Sequence, residues 1–203
     1  MTQLTFPMSR IEGHAQVVIE VDQGQVTSAH FQATEFRGFA YLVQGVPAEQ
    51  MIVIVPRICG VCSTAHHVAA VKTLEDIYGV TPPAMAQKIR ELLMLGQIVQ
   101  NQATSLFLFT MPDRLGIAGI YQLAQEADTK AAETRLATQA LWVRETGTHL
   151  ITVAGGQFIH PVKAVIGGVI SGVGPERAAA MREEVEAALP VACELFDAYW
   201  DMS

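Results

Sequence analysis

Apolar and polar positions alternate in part between residues 15 and 37. Val17, Ile19 and Val21 are followed by Asp22-Gln23-Gly24-Gln25, then by Val26, Phe31 and Ala33. A period of two belongs to a strand whose alternate side chains share a face. Gly24 supplies the positive φ that a tight turn needs, so the segment predicts a β-hairpin. Beyond Pro47 the period lengthens to that of a helix. Ala48 to Val55 predicts a short helix, Thr64 to Tyr78 a longer one closed by Gly79, and Pro83 to Phe109 a long one. Pro83 suits the first turn of that long helix, where its missing N–H leaves nothing unpaired, and Met111-Pro112 marks its stop. Gly96 in its interior is roughly 1 kcal/mol worse than Ala in a helix, which points to close approach by a neighbouring helix.

Tyr121 to Leu150 predicts a second long helix, with Leu123, Ala127, Leu136, Ala140, Trp142 and Val143 at helical spacing. Gly155-Gly156, His160-Pro161 and Gly167-Gly168 then break the pattern, and a last helix is expected from Pro175 to Trp200, kinked or divided by Pro190. The expected fold is α+β and predominantly α: a small N-terminal β-hairpin or sheet followed by a bundle of long helices. Residues 1–203 are expected to form a single unit, β-rich over about 1–45 and helical over about 46–203. The last helix reaches Ser203 without a clear cap, which suggests that the unit continues in another chain.

Half of the residues are hydrophobic and 16% are charged, so a packed core is expected, with some apolar surface left for a partner. A formal charge of -7 with only 13 scattered Lys and Arg residues argues against a nucleic-acid partner. The apolar runs Met51 to Pro56, Leu92 to Leu95 and Leu106 to Phe109 are too short to cross a bilayer, and the last of them reads as core. The N-terminus lacks a basic segment followed by an apolar one. The chain therefore reads as soluble, untargeted and cytoplasmic, with export alongside a signal-bearing partner left open. Three cysteines, two of them only two residues apart, make a poor disulfide framework and fit a reducing compartment. The third, Cys193, lies in an apolar helical context and reads as core.

The candidate chemistry centres on Cys59, Cys62 and His66. Their i, i+3, i+7 spacing would put all three on one face of a helix that began near Cys59. A thiolate at a helix N-terminus is stabilised by the unpaired N–H groups there and is thereby prepared for metal binding. The residue types alone leave other readings open. The cysteines could be small buried apolar residues, a redox pair without the usual βαβ context, or part of a zinc site lacking a fourth ligand. His67, pointing elsewhere on the helix, and His160, before Pro161, read as hydrogen-bonded structural residues. Arg57, beside the cysteine turn, is either a ligand-contacting group or a solvated surface side chain.

The string Arg57-Ile-Cys-Gly-Val-Cys-Ser-Thr-Ala-His66 resembles the first metal-binding motif of nickel-iron hydrogenase large subunits. Arg10-Ile-Glu-Gly-His14 resembles the segment that opens the same family. Glu35-Phe-Arg-Gly-Phe39 and Gly155-Gly-Gln-Phe-Ile-His-Pro161, followed by Gly167-Gly168-Val169, are similar to further family segments. The resemblance thus runs from about Pro7 to Val169. It implies reversible heterolytic cleavage of dihydrogen at a nickel-iron centre whose iron carries CO and cyanide. Cys59 would be a terminal thiolate on nickel, Cys62 would bridge nickel and iron, and His66 would hydrogen-bond near the bridging sulfur. Glu12 would be the first proton acceptor, its pKa raised by burial. Arg57 would contact the ligands of the centre, and Arg10 and His14 would tie down their segment or face a partner. The details lean toward the cytoplasmic, cofactor-coupled branch of the family.

Three departures limit what carries over. The family takes a second thiolate pair from a Cys-x-x-Cys motif near the C-terminus of a chain about twice this length, and that motif is absent from these 203 residues. Ala40 stands where the family commonly has a Glu that helps hold a magnesium-type site, and a methyl group cannot ligate a metal. Gln102 stands where related helices often carry His. The expected partners are therefore a polypeptide supplying the missing Cys-x-x-Cys, an iron-sulfur small subunit that relays electrons, and a cofactor-reducing module; alone, the chain is expected to be inactive. The alternative is a non-catalytic scaffold resembling the respiratory complex I subunit related to hydrogenases, which Ala40 and the missing thiolates favour.

Overall fold

The computed structural model describes residues 1–125 and 132–201. The chain divides into two compact units, Met1–Gly45 and Val46–Ser203.

In the first unit, β1 (Thr2–Pro7), β2 (Ala15–Asp22) and β3 (Gln25–Ala33) form an antiparallel sheet in the order β1-β2-β3. The expected hairpin is β2-β3. Its turn residues Gln23 and Gly24 both have positive φ, 49° and 79°, as the right-handed twist of a two-residue hairpin demands. β1 is an addition to the sequence expectation. The register aligns Leu4 with Ile19 and Ala29, and Phe6 with Val17 and Phe31, which gives the sheet one apolar face. A short helix, α1 (Phe39–Leu42), follows a left-handed Gly38 at φ 63°.

The second unit is helical. Residues 48–58 form consecutive short turns around α2 (Met51–Ile54), rather than one helix over Ala48 to Val55. α3 (Ser63–Tyr78) buries Thr64, His67, Val68, Val71, Leu74 and Glu75 along one stripe and closes on Gly79 in the left-handed conformation, as its sequence predicts. α4 (Ala84–Ala103) starts one residue after Pro83, which is the extended cap rather than part of the first turn.

Pro112 does not stop the helical run. From Thr104 to Thr110 the backbone widens into π-helical register, and Pro112 then sits in the first turn of α5 (Met111–Leu115), where its missing N–H is harmless. The run ends instead at the left-handed Gly116. α6 (Ile120–Gln125) and α7 (Ala132–Gly155) occupy the region expected as one long helix; Ala127 lies outside the described residues. A two-stranded hairpin, β4 (Ala164–Val165) with β5 (Gly168–Val169), precedes α8 (Pro175–Asp201), which runs through Pro190 undivided.

α4 and α7 cross where Gly96 meets Gly147, confirming the close approach read from Gly96. A Cβ on Gly96 would lie 2.8 Å from the Leu150 Cβ, and one on Gly147 only 2.5 Å from the Gln100 backbone nitrogen. On one side of the crossing Val68, Ile89, Leu93, Ile151 and Ala154 pack together; on the other, Ala103, Phe107, Met111, Ala140, Val143 and Leu195 do so. The Leu106–Phe109 run is core only in part, since Phe107 is buried and Phe109 exposed. Cys193, expected in the core, lies exposed on α8 because the buried stripe there passes through Met181, Ala188 and Leu195.

A charged cluster joins α3, α4 and the β4–β5 hairpin. Arg90, 6% exposed, donates to both carboxylate oxygens of Glu75 at 2.8 and 2.7 Å and to the carbonyls of Val165 and Gly168 at 2.8 and 2.7 Å. Glu75 also accepts the Gly167 N–H at 2.8 Å. The Arg90 guanidinium, reinforced by the Gly167 N–H, holds the Glu75 carboxyl below its ordinary pKa of 4.5 despite burial.

This packing can be tested by substitution at the crossing and in the charged cluster. Gly147→Ala lowers stability in denaturant unfolding by about 1 to 3 kcal/mol, the usual effect of overpacking, whereas Gly172→Ala, with open space at its Cβ, changes it by less than about 0.5 kcal/mol. Arg90→Met leaves the Glu75 carboxylate buried without its partner and lowers stability by about 3 to 5 kcal/mol. Because the folded pKa of Glu75 is depressed, its contribution is present above the unfolded carboxylate value and lost as pH falls below about 4.5 toward the folded value. In Glu75→Gln that acid-side loss shrinks in a pH series of unfolding curves.

Candidate metal centre

The segment that carries Cys59 and Cys62 is not helical at its start. Val55–Ile58 is a single 3-10 turn containing Pro56, Cys59 is extended at φ -137° and ψ 123°, and the helix begins only at Ser63, with Cys62 as its N-cap. The expectation that a helix starting near Cys59 projects all three side chains from one face is therefore corrected. A tight turn through Gly60 and Val61 folds Cys59 back onto the helix end, and His66 reaches the same place from the first turn of α3. Ligand atoms of Cys59, Cys62 and His66 all lie within 4.8 Å of one another. Cys59 is buried; Cys62 and His66 are half-buried. The two sulfurs are joined as a disulfide across a Cα separation of 5.5 Å, and the Cys62 N–H donates to the Cys59 Sγ at 3.0 Å.

Buried polar contacts hold the turn. Gln97 on α4, 5% exposed, donates from its Nε2 to the Val61 carbonyl at 2.8 Å. Ser63 Oγ accepts the His160 backbone N–H at 3.2 Å, and the His160 Nδ1 contacts the Pro56 carbonyl at 3.0 Å. His160 holds a left-handed backbone, φ 57°, to make both contacts. His67 is 1% exposed and spans the Ile52 carbonyl at 3.2 Å and the Ala164 N–H at 3.2 Å. A carbonyl only accepts and an amide only donates, so this imidazole is neutral, with its proton on Nδ1. Burial pushes the His67 pKa down, and the nearby Arg90 charge adds to that shift. The structural reading of both histidines thus stands.

The remaining candidates lie elsewhere. Arg57 is exposed and donates to the Val53 carbonyl of its own turn. Glu12 belongs to the first unit, in the loop after β1 between Arg10 at φ 61° and Gly13 at φ 82°, and is exposed rather than buried as expected. The loop is tied down as anticipated for His14, whose Nδ1 lies 2.5 Å from the Glu35 carboxylate and whose carbonyl accepts the Thr34 N–H at 3.0 Å. Sequence reasoning missed Gln97. The available signal was a polar residue on the otherwise buried stripe of Leu93, Gly96, Gln100 and Ala103.

With the disulfide reduced to two thiolates, the donor set suits a soft, thiophilic metal. Two cysteine sulfurs and an imidazole converge at a helix N-terminus, in a turn fixed by buried hydrogen bonds, which is the support that metal ligands require. A sequence profile described as "Nickel-dependent hydrogenase" matches residues 37–136, which contain this turn, and one described as "HoxL-like" matches residues 6–36. The chain is 37% identical, over 80% of its length, to a vhu-type F420-non-reducing hydrogenase subunit of Methanocaldococcus jannaschii. The chain belongs to the nickel-dependent hydrogenase family.

That archaeal hydrogenase protein is covered over 39% of its own length. The NAD-reducing hydrogenase HoxS subunit beta of Cupriavidus necator is 32% identical over 80% of this chain and 35% of its own. Among solved structures, an NAD+-reducing NiFe-hydrogenase in the H2-reduced state superposes with a TM-score of 0.76 at 32% identity, over 97% of this chain and 46% of the other. The Ni-Fe-Se hydrogenase from D. vulgaris Hildenborough shares the fold at a TM-score of 0.77 and 24% identity, over 98% of this chain and 45% of its own. The chain thus spans less than half the length of these hydrogenase subunits. No helix among the described residues is long and apolar enough to cross a membrane.

Proposed function

We propose that this chain is the part of a nickel-iron hydrogenase catalytic subunit that supplies half of the active-site thiolates. The observation that carries the reading is the convergence of Cys59, Cys62 and His66 within 4.8 Å in the segment matched by the nickel-dependent hydrogenase profile. Cys59 and Cys62, as thiolates, would hold a nickel-iron centre whose iron carries CO and cyanide. Such a centre, when bound, supplies the soft redox-active site at which dihydrogen is split heterolytically.

The protein's own residues have distinct tasks. Cys59 and Cys62 would be the thiolate ligands of the centre, and the helix N-terminus at Cys62 would favour the deprotonated state that ligation requires. His66 would donate a hydrogen bond toward the Cys62 sulfur, and Arg57 stands beside the ligand turn. Glu12 accepts the proton released from dihydrogen, in an environment that a partner polypeptide completes by burying it. A four-thiolate centre needs a second pair, and the third cysteine, Cys193, lies exposed on α8. The pair therefore comes from polypeptide outside these residues, and an iron-sulfur small subunit takes the electrons. Ala40, exposed after α1 begins, offers no carboxylate for a magnesium-type site.

The test is hydrogen–deuterium exchange by the chain assembled with its partner subunits. Glu12→Gln keeps nickel but loses most of the exchange, by about 10²-fold or more for a lost proton acceptor. Exchange retained at the unmutated rate contradicts the role given to Glu12. Zinc in place of nickel in the unmutated assembly contradicts the whole reading.

A further inference from the structure

Gln97 is a buried amide on a face of α4 that also packs Leu93, Gly96, Gln100 and Ala103. An amide buried without a partner is destabilising, and this one is matched to a single acceptor, the Val61 carbonyl at 2.8 Å. Val61 lies between the two cysteines, and its carbonyl belongs to the peptide unit whose nitrogen is that of Cys62. No peptide among the described residues is cis, so this N–H points away from its own carbonyl. It points at sulfur: with the Cys59–Cys62 disulfide formed, the Cys62 N–H donates to the Cys59 Sγ at 3.0 Å, a contact taken to hold in the reduced pair as well. Gln97 thus grips one side of a peptide whose other side faces a candidate ligand atom.

We propose that Gln97 is a positioning residue for the Cys59 sulfur, acting through the Val61–Cys62 peptide. It fixes the rotation of that peptide plane, and by drawing on the carbonyl it polarises the N–H that meets the sulfur. A hydrogen bond to a metal-bound thiolate withdraws electron density from sulfur and raises the potential of the metal it binds. The chain thereby sets the donor strength of Cys59 from a helix that carries no ligand of its own. This rests on the reading of Cys59 as a metal ligand, while the orientation of the peptide is testable without any metal.

The experiment measures amide hydrogen exchange by NMR on the full chain, metal-free and reduced, with and without Gln97→Met, which keeps the volume and removes the donor. The Cys62 amide exchanges about tenfold faster in the variant, the equivalent of one lost hydrogen bond, while the amides of Ile89 and Leu93 keep their protection. An unchanged Cys62 amide, or an equal loss of protection throughout α3 and α4, overturns the proposal. Should the variant not fold, the unmutated chain decides: the Gln97 side-chain amide exchanges much more slowly than that of exposed Gln102 if the bond to Val61 is held, and equally fast if it is not. In the metal-loaded assembly, Gln97→Met retains nickel and shifts the midpoint potential of the centre downward; an unchanged potential in metal-replete enzyme overturns the tuning. Failure of the hydrogenase reading would show as absence of nickel in the unmutated assembly and would leave the exchange result standing.

Discussion

The helical unit depends on satisfying polar groups that it buries, and the Arg90–Glu75 pair is the clearest case. Removing a guanidinium and a carboxylate from water is expensive unless their polar atoms are paired, and here five short hydrogen bonds pair all of them except the buried Arg90 Nε. Two of those bonds go to carbonyls of the β4–β5 hairpin, whose strands are too short to be stable alone. Fixing that hairpin also fixes Ala164, whose N–H meets the His67 ring, and His67 in turn holds the Ile52 carbonyl ahead of the cysteine turn. A connected set of polar contacts therefore runs from the Arg90–Glu75 pair on α4 and α3 to the segment that carries the candidate ligands.

The fold was legible where a period persists. β2, β3, α3, α4 and α8 follow from alternation or helical spacing, and Gly79 closes α3 where a left-handed residue is needed. Gly96 announced a helix crossing because a helix tolerates glycine poorly without a packing reason, and its counterpart Gly147 lies opposite. Sequence patterns misled where tertiary context decides. Pro112 looked like a terminator, but it follows a π-helical stretch and sits in the first turn of α5, where its missing N–H is harmless. The residues of β4 and β5 are too few to show any period, and they are defined by Arg90, about 75 positions away in sequence. Cys193 follows an apolar run yet falls off the buried stripe of α8.

The candidate site was legible in its residues but not in its geometry. Spacing singled out Cys59, Cys62 and His66, and they do come together, though through an extended Cys59 and a turn rather than along a helix face. The residues that support the turn carry no short-range signal: Gln97 is 36 positions from Val61, and His160 is 97 from Ser63. Such contacts exist only once α4 and the segment after α7 are packed. Glu12 is likewise exposed in this chain's own fold, although its sequence context led to an expectation of burial.

The central claim is that Cys59 and Cys62 hold one half of a nickel-iron centre completed by another stretch of polypeptide. Its most direct test is elemental analysis of the chain purified anaerobically with the subunits it assembles with. The account predicts one nickel per chain, iron in excess of nickel because the iron-sulfur small subunit adds its own, and infrared bands of CO and cyanide on iron, with the nickel and those bands lost in Cys62→Ser. Zinc in place of nickel, or no nickel in a fully assembled complex, would contradict it.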